Sequence, residues 1–323
     1  MVSSPRPLVS VVTPAFNEEE CIPELVDRLR KVFDDETYYE FEVWIIENGS
    51  TDSTWNLIKE AAAKDQRFNG IRMSRNFGAD GALTAGMDHA RGDAVVLMAA
   101  DLQDPPELIP EFLRQWERGY ENVYMIVESR KDSSLLRRVN SAVFYRLAAR
   151  LTDRRFPRNA SDFRLIDRKV NDAVKSMKER GRFLRGLFGW AGFSTKGVPH
   201  QRPARFSGES KATTKTVMDL AKKGILGHSY IPLRVIFAFG VALSLSSIFA
   251  FMTLAIYWLL YGVPFAGYGS IVSLVLLAIG VVSLMLGVVA EYVGLIYEEV
   301  KQRPIYLVSE EYDPTVESQE PPD

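Results

Sequence analysis

A single cysteine stands in 323 residues, at position 21, so no internal disulfide can form and the chain suits a reducing compartment. Cys21 reads as a packed side chain. No internal repeat or low-complexity tract is present. Net charge is nearly absent, 39 Lys and Arg against 41 Asp and Glu, and this balance points to no nucleic-acid partner. The opening MVSSPRPLVSVVTPAFNEEE is too short in its apolar run, and too soon acidic, to be expected as a signal peptide. Most telling, residues 235–290 run for 56 positions without Asp, Glu, Lys, Arg or His, interrupted only by YGVPFAGYG at 261–269.

The flanks of that interruption, 235–260 and 270–290, are 26 and 21 residues long. Roughly 20 apolar residues rising ~1.5 Å each cross a hydrocarbon core of ~30 Å. Soluble helices seldom lack charge on every face, so a two-helix transmembrane hairpin is expected over 233–292, with spans at about 233–260 and 270–291. Lys222, Lys223 and Arg234 precede it, Lys301 and Arg303 follow it, and the connecting loop carries no charge. The positive-inside rule then puts both ends in the cytoplasm, as a multi-pass protein of the inner or cell membrane. Residues 213–232, with KTVMDLAKKGILG at 215–227, suit the membrane interface. The cytoplasmic tail, 293–323, reads as disordered from Ser309 onward.

The overall charge balance conceals a segregation. Residues 1–129 hold 12 basic and 24 acidic side chains, a net of −12, while residues 130–223 hold 24 basic and 8 acidic, a net of +16. A block that basic faces a polyanion, and beside a membrane hairpin the candidates are an anionic surface or a phosphate-bearing substrate.

Residues 1–212 read as one α/β domain. Short runs rich in Val and Ile, at 8–13, 41–47, 70–74, 94–98 and 123–129, alternate with stretches of helical spacing such as Ile22, Leu25, Val26, Leu29 and Val32. Pro23 suits a first helical turn, and Asp52 or Ser53 suits a cap. The expectation is a Rossmann-like, mostly parallel sheet covered on both faces, with ligands beyond the carboxyl ends of the strands. Those ends carry PAFNEEE, ENGSTDST, SRNFGADGA and AADLQDPPE, a concentration of polar groups that ordinary loops account for poorly. Asp101 and Gln103 alternate on a segment expected to stay extended because Pro105 and Pro106 follow it. Hard oxygen donors of this kind suit Mg²⁺ or Mn²⁺, ions that keep part of their shell for substrate phosphates.

These residues carry a resemblance. VSVVTPAFNEEE, ENGSTDST, SRNFGADGALTAGMDHARGDAVVLMAADLQDPPELI, DFRLIDRKV, RFLRGLFGWAGF, RPARFSGESK and AEYVGLIYEEVKQRPIYLV together resemble glycosyltransferase family 2, over about residues 8–308. More narrowly they are similar to the polyprenyl-phosphate glycosyltransferases. The resemblance implies a GT-A fold, a nucleotide-diphosphate sugar donor, a divalent metal, and a polyprenyl (undecaprenyl) phosphate acceptor. It implies a donor nucleotide site at Pro14, Phe16, Glu18, Glu47, Asn48 and Asp101, and a metal held by Asp101 and Gln103. Phosphate contacts fall to Arg164, Arg202, Arg205 and Lys211, with Arg130 and Arg182, and catalysis to Asp162, Arg164 and Asp101. Three positions depart from the family pattern: Ala99 and Asn48 replace Asp, and Phe16 replaces Tyr. The two missing carboxylates also motivate a noncatalytic lipid or nucleotide-sugar binding partner as the rival reading.

A phosphate monoester is largely ionised at neutral pH, with a second pKa near ~6, so its oxygen needs no strong general base. The task is to bring two anions together, which metal and arginines perform. Asp162 therefore reads as an orienter of an arginine or of the acceptor, with base and structural roles as alternatives. The resemblance implies a single inverting displacement, and the absence of Gln-x-x-Arg-Trp implies one hexose per lipid. Glucose from UDP-glucose is expected, GDP-mannose or a modified pentose being the alternative donors. Homo-oligomer formation is left open.

Overall fold

Runs of β-branched residues become strands here, and the segments of 3.6-residue spacing between them become helices that cover the sheet. The computed structural model describes residues 6–128, 160–201, 203, 231–261 and 267–314. The chain divides into two compact units, Met1–Val217 with Arg303–Asp323, and Met218–Gln302.

In the first unit, β1 (Leu8–Ala15), β2 (Glu40–Glu47), β3 (Phe68–Met73) and β4 (Ala94–Leu97) are separated by α1 (Ile22–Asp35), α2 (Thr54–Lys64) and α3 (Gly78–His89). A single 3₁₀ turn, Pro106–Leu108, leads into α4 (Ile109–Glu117), followed by β5 (Asn122–Val127). Beyond residue 160 come β6 (Ala160–Asp167), α5 (Arg168–Ser176), α6 (Leu184–Ala191) and β7 (Thr195–His200). The strand order is β7-β5-β6-β4-β1-β2-β3-β8, with β8 (Val308–Tyr312) supplied by the tail.

Alternate residues of each strand feed two cores. Val9, Val11, Val43 and Ile45 pack with α1, α2 and α4 on one face, while Val12, Trp44 and Ile46 pack with α3, α5 and α6 on the other. All four β4 residues are buried, as a central strand covered on both faces must be. Gly86 lets α3 lie directly on β1, since a Cβ there would sit 2.2 Å from Val12 Cγ1.

Two expectations need correcting. The sheet is mixed: β6 runs antiparallel to β4 and β5, and β8 antiparallel to β3. The strand–helix–strand repeat that enforces parallel pairing covers β1 to β4, and β6 is inserted between β4 and β5 afterwards. Because it is reversed, Arg164 of β6 stands opposite Leu97 at the carboxyl end of β4. The crevice thus receives the start of β6. The tail, expected to lose order at Ser309, instead pairs with β3 through Val308–Tyr312. Its charges find partners that composition did not reveal: Glu310 accepts from Trp55 Nε1 at 3.0 Å, and Glu311 lies 3.7 Å from His89 Nε2.

The second unit contains α7 (Ile231–Tyr261, 31 residues) and α8 (Tyr268–Val300, 33 residues). Gly240 of α7 faces Met285 of α8, whose Cε would be 3.2 Å from an added Cβ. Large apolar side chains stay exposed on both helices, among them Phe237, Phe249 and Leu259, and Ile271, Leu274 and Leu286. Among the described residues one helical window, Ala278–Val300, is long and apolar enough to cross a membrane, at mean hydropathy 2.1. Of the expected interfacial segment 213–232, residues 213–230 lie outside the described residues, and Ile231 and Pro232 open α7.

Candidate active site

The crevice is built where the loops after β1 and β2 are laced together. Asn17, in the left-handed region at φ 51°, donates its N–H to Ser50 Oγ at 3.0 Å, and its side-chain oxygen accepts from Thr51 N at 2.9 Å. Glu18 N donates to Thr54 Oγ1 at 3.0 Å, and Ser53 N donates to Glu19 at 2.9 Å. Ser53 stands at the N-cap of α2 without a capping side-chain bond, and Asp52 before it accepts from Thr54 N at 3.1 Å. Pro14, Phe16 and Glu18 are all half-buried on the β1 side of this lacing.

Glu47, at the end of β2, is wholly buried. Its Oε1 accepts from Ser50 N, and its Oε2 lies 3.3 Å from Arg72 Nε. Asn48 turns toward the loop after β3: its Nδ2 donates to Gly78 O at 3.1 Å and its Oδ1 accepts from Phe77 N at 2.9 Å. An Asp could accept here but not donate, so the Asn fits this loop contact. Gly49, at φ +75°, lies so close to that loop that an added Cβ would be 2.7 Å from backbone atoms of Arg75 and Asn76.

At the end of β4 the chain turns where an extended segment was expected. Leu102 is buried with φ 59°, and Gln103 N donates to Asp101 Oδ1 at 3.2 Å. Asp104, 2 % exposed, accepts from Ala99 N at 3.0 Å and closes the turn. Both carboxylates of this turn are buried and each accepts a backbone N–H, Asp101 at 7 % and Asp104 at 2 % exposure. Pro105 is extended, at φ −73° and ψ 123°, and fixes the exit rather than the ligands. Burial pushes the Cys21 thiol up to about 12, followed by a hydrogen bond to Glu18 and by the negative charges of Glu18, Asp101 and Glu20. That thiol is a packed, unreactive group, as expected.

The opening residues of β6 supply the cationic side. Arg164 is 4 % exposed, with Nη2 donating to Ser161 O at 3.1 Å and the guanidinium 4.5 Å from the Phe188 ring. Burial pushes it down to about 10, against the neighbouring Asp162 charge, and it stays cationic at neutral pH. Asp162 is exposed and is held by Arg185 of α6, with Nε to Oδ1 at 2.9 Å and Nη2 to Oδ2 at 2.7 Å. This bidentate pair is the geometry in which arginine most firmly orients a carboxylate. Sequence reasoning missed Arg185, although RFLRGLFGWAGF contained it and its neighbour Arg182 was chosen instead.

Arg182 is tied to the backbone. It is buried against carbonyls, Nη2 donating to Val174 O at 2.8 Å and Met177 O at 2.5 Å, with Nη1 on Thr84 at 3.3 Å. It joins the end of α5 to α3. Arg130, Arg202, Arg205 and Lys211 lie outside the described residues.

The comparisons with known proteins settle the family. The family model "Glycosyl transferase family 2" matches residues 10–175, from β1 through α5. This chain belongs to that family. A protein of Bacillus subtilis (strain 168), named uncharacterized glycosyltransferase YkcC, is 40 % identical over 304 residues, covering 94 % of both chains. The SfII prophage-derived bactoprenol glucosyl transferase of Shigella flexneri is 36 % identical over 304 residues, 94 % of this chain and 98 % of that one. Among solved structures, glucosyl-3-phosphoglycerate synthase of Mycobacterium tuberculosis, with Mn²⁺, UDP-glucose and phosphoglyceric acid, is 17 % identical at TM-score 0.49, covering 68 % of this chain and 78 % of that one. This family-2 chain is a glycosyltransferase with a GT-A-like α/β fold and a mixed sheet.

Proposed function

We propose that this glycosyltransferase moves one glucose from UDP-glucose to a polyprenyl phosphate, at the cytoplasmic face of a membrane that α7 and α8 both span. The single observation carrying the acceptor and the sugar is the likeness, end to end, to bactoprenol glucosyl transferases at 36 % identity. A membrane hairpin agrees with it, because both apolar helices leave large hydrophobic side chains uncovered.

The donor nucleotide lies across the laced β1 and β2 loops, with its diphosphate toward the β4 turn. Asp101 and Gln103 would hold Mg²⁺ or Mn²⁺ there. Among the described residues no group of three or more His, Cys, Asp or Glu gathers as a metal cluster. One carboxylate and one amide oxygen fit an ion that completes its shell with diphosphate oxygens and water. Such an ion supplies neutralisation of the leaving diphosphate.

Arg164 offers a buried positive charge close to the β4 turn, where desolvation strengthens its pull on phosphate. Asp162 holds the Arg185 guanidinium in one orientation beside it. The acceptor phosphate is already anionic at neutral pH and attacks without a dedicated base. Location at the membrane confines the lipid head and the site to one layer, which raises their encounter rate.

Incubation of purified full-length protein with UDP-glucose and undecaprenyl phosphate tests this, with a lipid-linked hexose as the expected product. Release of free glucose alone, with no lipid product, would contradict it.

A further inference from the structure

Residues 303–313 follow α8 in the chain and form a strap along the open edge of β3. Leu307 O accepts from Ser74 N at 2.9 Å, Ser309 Oγ donates to Arg72 O at 3.1 Å, and Tyr306 OH donates to Asp88 at 3.0 Å. Within the sheet, Glu47 of β2 is registered against Arg72 of β3, and Arg72 against Glu310 of β8. Three adjacent strands thereby place carboxylate, guanidinium and carboxylate in one row. Arg72 Nε is 3.3 Å from Glu47 Oε2, and Arg72 Nη1 is 3.9 Å from Glu310 Oε2.

The row is unequal in a way that gives it consequence. Glu47 is wholly buried, and among the described residues its Oε2 accepts no hydrogen bond and Arg72 is the countercharge within ion-pair distance of that oxygen. A buried carboxylate stripped of its countercharge is costly. The Arg72 side chain is 43 % exposed, so on its own it would also sample solvent. Glu310 lies on the far side of that guanidinium and is itself fixed by the 3.0 Å bond from Trp55 Nε1. Through Glu47 the row continues to Ser50 N, and Ser50 Oγ receives the Asn17 N–H at 3.0 Å. It therefore reaches both loops of the donor crevice.

We infer that β8 is a positioning element for the nucleotide donor: Glu310 keeps Arg72 on Glu47, and Glu47 so held fixes the loops that receive the nucleoside. This rests on the proposed assignment of Glu47 to the donor site. The segment that leaves the apolar unit is, on this account, part of what makes the crevice competent.

Titration of full-length protein in detergent with UDP and Mn²⁺ tests it. Glu310→Ala raises the UDP dissociation constant by about tenfold, the size of a broken charge coupling. Glu310→Gln keeps an acceptor for Trp55 and removes only the charge, so it weakens UDP binding in the same direction and covers the case in which the alanine variant folds poorly. Tyr306→Phe loosens the strap without touching Arg72 and leaves UDP affinity unchanged. In an Arg72→Ala background, Glu310→Ala adds nothing further. The inference is overturned if Glu47→Gln weakens UDP binding while both Glu310 variants bind as the parent does. It is equally overturned if Tyr306→Phe weakens binding as much as Glu310→Ala, because the strap would then act by docking alone. If Glu47→Gln itself binds UDP normally, the assignment of Glu47 to the donor site fails, and the inference with it.

Discussion

Arg185 grips Asp162 with both prongs of its guanidinium, Nε on Oδ1 at 2.9 Å and Nη2 on Oδ2 at 2.7 Å. The pair stands next to the buried Arg164, at the end of β6 that meets the carboxyl end of β4. Both oxygens accept from the one guanidinium, which fits the proposed role of Asp162 as an orienter of an arginine. Arg185→Ala and Asp162→Ala are therefore expected to lower acceptor kcat/KM by similar factors, about 10–100-fold, and the double variant by little more. The pH–rate profile of Asp162→Asn should keep the parent's shape. Multiplicative losses, or a lost limb of the profile, would make Asp162 a base instead.

Asp101 lies in a turn that the bond from Ala99 N to Asp104, at 3.0 Å, closes. Asp101→Asn is expected to abolish stimulation by Mg²⁺ or Mn²⁺, with turnover falling by about 10²–10³-fold and the melting temperature unchanged. Asp104→Asn should show the opposite pattern, a lowered melting temperature with the metal response retained. Equal metal responses in parent and Asp101→Asn would remove Asp101 from the metal site.

Gly49 carries both a left-handed φ of +75° and a neighbouring backbone within 2.7 Å of any added Cβ. Gly49→Ala should cost about 1–3 kcal/mol, through strain and displacement of the loop after β3. Denaturation of the variant reads this directly. Gly119→Ala, where φ is +92° but no atom lies within 4 Å, should cost less.

Acid should weaken one contact between α1 and the turn before α4. Arg28 meets Glu107 at 2.7 and 2.5 Å, and that hydrogen bond holds the Glu107 carboxyl below its ordinary 4.5, against a smaller opposing effect of burial. A lowered folded value means the contribution is complete above 4.5 and fades as pH falls through that lower value. More than half of the Glu107 side chain is exposed, at 54 %, which limits the effect to about 0.5 kcal/mol. Arg28→Ala should thus be less stable than the parent at neutral pH, and in parallel melts the difference should shrink as pH falls from 4.5 through the lowered Glu107 value.

The strands β1 to β4 and the face of α1 were legible because one physical rule, burial of alternate or 3.6-spaced side chains, writes itself locally. Ile22, Leu25, Val26, Leu29 and Val32 are all buried in α1, as their spacing demands. Reversal of β6 was not legible, since alternation is the same whichever way a strand runs. Nor was β8, because VSEEY has the charge of a solvated tail, and its order depends on Trp55, Arg72 and His89, more than 200 residues earlier. That Asp101 lies just beyond β4 was legible from the apolar run that ends before it. Arg185 was not, because two arginines three residues apart in GRFLRG look alike until one is seen turned inward on carbonyls and the other outward on Asp162. Leu102 concealed the turn at Asp101, since a leucine at φ 59° violates the usual preference for that conformation.

The central claim is transfer of one sugar to a lipid phosphate. Mass spectrometry of the organic-extractable product tests it most directly, using purified full-length protein, undecaprenyl phosphate, Mg²⁺ and UDP-glucose, beside GDP-mannose and a UDP-pentose. The account predicts a single species carrying one hexose on the polyprenyl phosphate, formed from UDP-glucose and lost in Asp101→Asn. No glycosylated lipid from any of the donors, with the protein folded, would contradict it.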